Sequence, residues 1–230
     1  MVYVHSLKSE DGTAPFRSSA LDGAMQTAER IPGVRITAVA VDRPGGREAI
    51  RASLALAADE GLLLSDPGLS AYDSAALGHL LADGVRAFEQ ERGPVDAVFC
   101  GDTDPGQDGL GPALAGSLGW PQVTGASRAE VNGEGLTVWR NWDDECVLLY
   151  TETPCVISFL PTGVPAGYPL ISRLMAANQA EIPSCEIQTV PELRQILSFP
   201  PRPRRRRTLF RDSQGDVEAM VRILVDEHMI

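Results

Sequence analysis

Residues 104–111 read Asp-Pro-Gly-Gln-Asp-Gly-Leu-Gly and follow the apolar run Ala97-Val98-Phe99-Cys100. A buried strand that stops in a loop of Gly and short polar residues, with a helix behind it, lets backbone N–H groups approach an anion at the helix N-terminus. The chemistry this favours is phosphate binding, so the stretch 95–127 is the best nucleotide-site candidate. It is neither a Walker A loop nor a G-x-G-x-x-G fingerprint. Other chemistries find less support. The four cysteines (Cys100, Cys146, Cys155, Cys185) form no C-x-x-C, and His5, His79 and His228 lie far apart, so no metal site is expected. Cys100 and Cys155 lie in apolar runs and read as small buried hydrophobes. No base–nucleophile pair and no P-loop are visible, so no catalytic residue is assigned.

Strand and helix alternate ahead of this loop. Residues 2–4 and 35–41 read as strands, the second apolar enough for the centre of a parallel sheet. Ser18 or Ser19 caps a helix reaching about Arg30, with Leu21, Ala24, Met25 and Ala28 at helical spacing. Further helices are expected at 47–57, at 73–90 and at 110–118, with a strand at 60–64. This order predicts an open, mostly parallel α/β sheet with helices on both faces, of the Rossmann-like kind. After the corner Trp120-Pro121-Gln122 the pattern changes. Segments 126–131, 136–141 and 146–152 read as strands, the first two joined by Asn132-Gly133 as a hairpin. Residues 154–159 are again a buried strand and 171–177 a short helix. Beyond Glu181 prolines accumulate, then Arg202 and four arginines at 204–207, then an amphipathic helix at 216–227. The expected organisation is an α/β domain over 1–190, carrying a β-hairpin region at 126–152 and a loop with a short helix over 164–179. An arm over 191–230 ends in a helix.

Formal net charge is −11, which disfavours nucleic-acid and anionic-membrane partners, because both need clustered Lys and Arg. No apolar run approaches ~20 residues and no targeting segment is visible. The expectation is a soluble cytoplasmic chain, or a mitochondrial-matrix one in a eukaryote, without direct membrane insertion.

Several segments, in order, resemble the β subunit of electron transfer flavoproteins. They are Ile50-Arg51-Ala52-Ser53-Leu54-Ala55, the strand Val95-Asp96-Ala97-Val98-Phe99-Cys100-Gly101, the corner Leu118-Gly119-Trp120-Pro121-Gln122, and the run from Val138 and Arg140 through Asp143-Asp144-Glu145 to Pro154-Cys155-Val156-Ile157-Ser158. Val147 departs, standing where the family has Glu or Gln. The resemblance implies an electron carrier without bond chemistry of its own. It implies a heterodimer with an α subunit that holds FAD or shares it with this chain. A flavin dehydrogenase would supply the electrons, and a quinone oxidoreductase or other acceptor would take them. In such subunits an adenine nucleotide fills a second pocket: AMP in housekeeping members, a second FAD in bifurcating ones.

Carried over by position, that pocket draws on His5, Ser6, Ala14, Pro15, Phe16, Arg17, Val41, Asp42, Asp104, Gln107, Asp108, Gly109, Leu110 and Gly111. Phe16 would shield the flavin edge. Three departures bear on it. The segment between the first strand and Pro15 is shorter than in the family. The nucleotide loop is shorter too, and it places Asp108 where the family has a Thr hydroxyl; a carboxylate beside a phosphate costs on the order of 1 kcal/mol. These changes weaken the case for AMP and weaken it further for a second FAD. In the docking loop, 164–179, the family's lysines are replaced by Ala176-Ala177-Asn178-Gln179, while Tyr168, Leu170, Ile171 and Met175 remain as apolar anchors. That change suggests a dedicated partner rather than the usual acyl-CoA dehydrogenases. The alternative reading is a stand-alone adenine-nucleotide-binding regulator of the universal-stress type.

Overall fold

The computed structural model describes residues 2–3, 18–29, 31–42, 44–66, 74–101, 109–142, 145–160, 168–187 and 214–226. In chain order these form β1 (Val2–Tyr3), α1 (Ser19–Ala28), β2 (Thr37–Val41), α2 (Gly46–Leu56), β3 (Glu60–Ser65), α3 (Ser74–Arg92), β4 (Ala97–Gly101) and α4 (Leu110–Leu118). Next come β5 (Gln122–Asn132), β6 (Gly135–Trp142), β7 (Glu145–Glu152), β8 (Cys155–Phe159), α5 (Ile171–Gln179), β9 (Ser184–Glu186) and α6 (Gln214–Asp226). The chain divides into two compact units, Met1–Leu193 and Arg194–Ile230, and α6 belongs to the second.

The first unit is built on a sheet ordered β7-β6-β5-β8-β4-β1-β2-β3-β9. From β8 to β9 every pairing is parallel, and only β5–β6 and β6–β7 are antiparallel. This is the open, mostly parallel α/β sheet expected from the alternation of elements. Alternate side chains of the central strands explain the layers. Ala38 and Ala40 of β2 join Cys155, Ile157 and Phe159 of β8 in one apolar cluster with Leu21 of α1 and Ile50 of α2. Val39, Val41, Cys100 and Val156 point the other way, onto Leu77, Leu80 and Leu81 of α3 and Leu114 of α4. With both faces covered, these strands carry near-continuous apolar runs. The helix α5 packs on α2.

Local signals account for most boundaries. The Ser18 side chain accepts from the Leu21 N–H at 3.4 Å, capping α1 as its sequence suggests. Pro112 is tolerated in α4 because it lies in the first turn, where N–H groups lack intrahelical partners. Two differences from the sequence reading are instructive. First, β5 begins at Gln122, not 126, because its first residues pair in parallel with β8 (Gln122↔Val156, Val123↔Ile157). At Gly125, whose φ of +69° suits glycine, the register shifts, and Ala126 beyond it pairs with Phe159. The far end of β5 lies by the start of β8, where the Thr153 hydroxyl donates to Glu134 O at 2.9 Å. Second, no strand was expected at 184–186, yet Ser184–Glu186 forms β9 beside β3 (Leu63↔Ser184, Ser65↔Glu186). An edge strand needs only backbone pairing on one side, so it leaves no apolar alternation in the sequence.

Cys100 and Cys155 are wholly buried and in no disulfide, as their apolar surroundings suggested. Burial pushes the Cys155 thiol from 9.0 up to about 11; a side-chain hydrogen bond with Thr151 opposes this, and the Asp96 charge adds to it. The unfolded chain therefore ionises this thiol at lower pH than the folded one. The associated stability is full below pH 9 and is lost as pH rises towards 11. A shift of this size is worth roughly 2–3 kcal/mol. Urea unfolding from pH 8 to 11 is expected to show this loss in the native chain and not in Cys155→Ala; parallel pH curves for the two would refute it.

Candidate functional site

The sheet reverses its winding between β1 and β4. From β1 the chain moves outward through β2 to β3, then returns to build β4 and β8 on the other side. Such a switch point leaves a crevice beyond the carboxyl ends of the two strands, where ligands of open α/β sheets bind. Two helices start at this carboxyl edge. The N-terminus of α1 is tied there by the Ser19 hydroxyl, which donates to Phe159 O at 2.9 Å. A Cβ added to Gly101, the last residue of β4, would stand 3.1 Å from that hydroxyl oxygen. The second helix, α4, opens at Gly109, which adopts φ +88° and offers no side-chain cap. The Leu110 and Gly111 N–H groups of its first turn thus have neither an intrahelical acceptor nor a cap from Gly109, and the helix dipole favours an anion there. Gly111 lets α4 approach β8, because any Cβ at this position would collide with the buried Ser158 hydroxyl. These features fit a phosphate group.

Of the sequence-predicted pocket residues, Val41, Asp42, Gly109, Leu110 and Gly111 stand at this edge. Val41 is buried at the end of β2, and Asp42 is exposed, its N–H donating to Leu64 O at 2.8 Å. Leu110 and Gly111 are buried in the first turn of α4 and Gly109 is exposed. His5, Ser6, Ala14, Pro15, Phe16, Arg17, Asp104, Gln107 and Asp108 lie outside the described residues, as do Arg202 and the arginines at 204–207.

The docking anchors are all exposed: Tyr168 at 92%, Leu170 at 68%, Ile171 at 77% and Met175 at 60%. Leu174 extends the same patch along α5. Sequence reasoning missed what holds this helix. Arg51 of α2 donates to the carbonyls of Ala177 and Asn178 at 2.7 Å each, and Arg173 of α5 donates to Leu56 O at 3.1 Å. The available signal was the presence of Arg51 in the run 50–55 that carries the family resemblance. His79 links α3 to α4 through Ser117, 2.8 Å away, and needs no other role. Trp120 packs partly buried against the α3/α4 core, as a corner anchor would.

A cleft of about 650 Å³ opens at the opposite, amino edge of the sheet, lined by Ile36, Asp96, Phe99, Leu136, Tyr150 and others. It contains none of the predicted pocket residues. Among the described residues no group of three or more His, Cys, Asp or Glu is placed to hold a metal, and no helix is long and apolar enough to cross a membrane.

The sheet winds outward in both directions from β1 and β4 and ends in the antiparallel strands β5, β6 and β7, which defines an open α/β protein. The electron transfer flavoprotein domain matches residues 6–189, and the chain belongs to that family. It is 29% identical to the electron transfer flavoprotein subunit beta of Megasphaera elsdenii, over 76% of this chain and 67% of that protein. It is 33% identical to the mouse subunit of the same name, over 73% and 66%. With the acryloyl-CoA reductase electron transfer subunit gamma of Anaerotignum propionicum it shares 28% identity, over 63% and 54%. The chain thus spans between half and two thirds of the length of these relatives. The match decides between the two readings of the sequence in favour of the electron-transfer subunit over the universal-stress regulator.

Proposed function

We propose that this chain is the β subunit of a heterodimeric electron transfer flavoprotein. It carries electrons from a flavin dehydrogenase to a downstream quinone oxidoreductase or other acceptor, through FAD held mainly by an α subunit. The observation that carries the reading is the family match over residues 6–189, on a sheet whose switch-point crevice is flanked by the N-termini of α1 and α4. The flavin supplies the electron-transfer chemistry when bound. This chain's part is to bind and orient: N–H groups of α4's first turn hold a phosphate, and the apolar strands beneath them exclude water. No bond is made or broken by its own residues. The pocket at Val41, Asp42 and 109–111, completed by His5, Ser6, 14–17, Asp104, Gln107 and Asp108, takes AMP in preference to a second FAD. The patch formed by Tyr168 and Leu170 ahead of α5 and by Ile171 and Met175 on it docks the electron donor, and the arm over 191–230 packs on the α subunit.

Co-expression with an α-like partner, followed by absorption spectroscopy and nucleotide extraction, tests this. The expected result is a yellow heterodimer with one flavin and one AMP. Two flavins would point to the bifurcating subtype, and one flavin without AMP to an empty second pocket. A colourless monomer that never associates would sink the proposal.

A further inference from the structure

We infer that Arg51 is a positioning residue for electron-donor docking: with Arg173 it forms a reciprocal end-clamp that fixes α5 with its apolar side turned outward. The inference rests on the reading that the exposed face of α5 receives the donor.

The fold poses the problem. A helix of nine residues is marginal in water by itself and is normally held by burying an apolar stripe. Here the stripe is on the wrong side for that. Ile171, Leu174 and Met175 are exposed, and Ala177 is the one buried residue of α5. Burial of a single methyl group cannot hold the element, so other interactions must.

The hydrogen bonds supply them. Arg51 Nη1 stands 2.7 Å from Ala177 O, 2.7 Å from Asn178 O and 3.5 Å from Ala180 O, which together form the C-terminal end of α5. Arg173 Nη1, from within α5, stands 3.1 Å from Leu56 O, the last residue of α2. Neither helix has a basic residue in its own last turn. Each therefore lacks the cation that would satisfy its terminal carbonyls and complement the negative end of its dipole. Each receives it from the other. Charge-assisted bonds of this kind are stronger than neutral ones, and the rigid guanidinium aims the two N–H groups of Nη1 in fixed directions, so less freedom is lost per bond than with a flexible ammonium. The clamp acts at the ends of the two helices. It leaves the outward face of α5 free of intramolecular duties, so that its apolar side chains can be spent on a partner.

The test uses the full-length chain in its heterodimer, with Arg51→Met, Arg51→Lys and Ile171→Asp as variants. The probe is whichever purified flavin dehydrogenase reduces the wild-type complex fastest in a panel of acyl-CoA and other flavin dehydrogenases. Amide exchange across 171–180 is expected to quicken by roughly ten- to a hundredfold in Arg51→Met, and by less in Arg51→Lys. KM for the dehydrogenase should rise about tenfold in Arg51→Met, with kcat within twofold and flavin content unchanged, and Arg51→Lys should recover part of the loss. Exchange within twofold of wild type in Arg51→Met overturns the clamp. Faster exchange with an unchanged KM, when Ile171→Asp raises KM, overturns the positioning role alone. An unchanged KM in Ile171→Asp shows instead that the docking reading of α5 has failed, and the positioning role falls with it.

Discussion

Gly78→Val is expected to destabilise the α/β unit by about 3 kcal/mol, and Gly78→Ala by about 1–2 kcal/mol. Gly78 lies in α3 where that helix meets α4. A Cβ at this position would stand 2.6 Å from the Ala113 Cβ, 2.8 Å from Leu114 N and 2.9 Å from Ala113 C. Two of these neighbours are backbone atoms and the third is a methyl group, so none can rotate away. The helices must separate, and Leu80, Leu81 and Leu114 lose packing that their near-zero exposure shows to be close. Replacing glycine by alanine within a helix brings back up to about 1 kcal/mol of propensity, which is why the alanine variant suffers less. Gly116→Ala in α4 is the control. It is exposed with nothing within 4 Å of its added Cβ, so it should gain about 0.5–1 kcal/mol. Urea denaturation of the variants decides it. Equal midpoints for Gly78→Val and the parent would mean that the α3–α4 contact is looser than these distances state. The consequence reaches the site, because the same displacement moves the first turn of α4 off Ser158. Nucleotide retained on purification should fall in parallel with stability.

How far the fold was legible depends on how many signals each element carries. The helix α1 has both a cap at Ser18 and apolar residues at 21, 24, 25 and 28, and its limits emerge within about two residues. The central strands β2, β4 and β8 are continuous apolar runs because helices cover both faces, and they were equally plain. The strand β9 has neither feature: Ser184-Cys185-Glu186 pairs through its backbone alone. The start of β5 was hidden because its parallel pairing with β8 is set by the chain's path, not by side-chain alternation. For the site, the Gly109 turn and the carboxyl-edge rule place Gly109, Leu110 and Gly111 beside the switch point, which is where α4 begins. The clamp on α5 was invisible for a different reason. Arg51 binds carbonyls 126 to 129 residues away, and a carbonyl leaves no mark in a sequence. Periodicity likewise identifies the apolar residues of α5 without saying whether they face in or out. The amino-edge cleft brings the β5–β6 turn at 133–135 beside Ile36 and Phe99, a tertiary juxtaposition that no local pattern encodes.

Removal of residues 198–230 is expected to abolish association with the α subunit while leaving the α/β unit folded. The helix α6, Gln214–Asp226, belongs to the second compact unit. Its Val217, Met220, Val221, Ile223 and Val225 are each more than 40% exposed. Residues 217, 220, 221 and 224 recur at the spacing of one helical face. A helix of 13 residues is marginal in water unless that face is covered. Fully burying such a side chain is worth ~1.5–3 kcal/mol, so covering the stripe contributes several kcal/mol even after ordering costs are deducted. A loss of ~4 kcal/mol weakens association about a thousandfold, enough to turn a stable heterodimer into separate chains at micromolar concentration. The truncated chain should keep its circular dichroism and its urea midpoint, because the clusters around Ile157 and Leu114 lie wholly within 1–193. On co-expression it should purify colourless and without the α subunit. A yellow heterodimer from the truncated chain would show that the contacts holding the complex lie on the α/β unit, and α6 would then need another purpose for its apolar face.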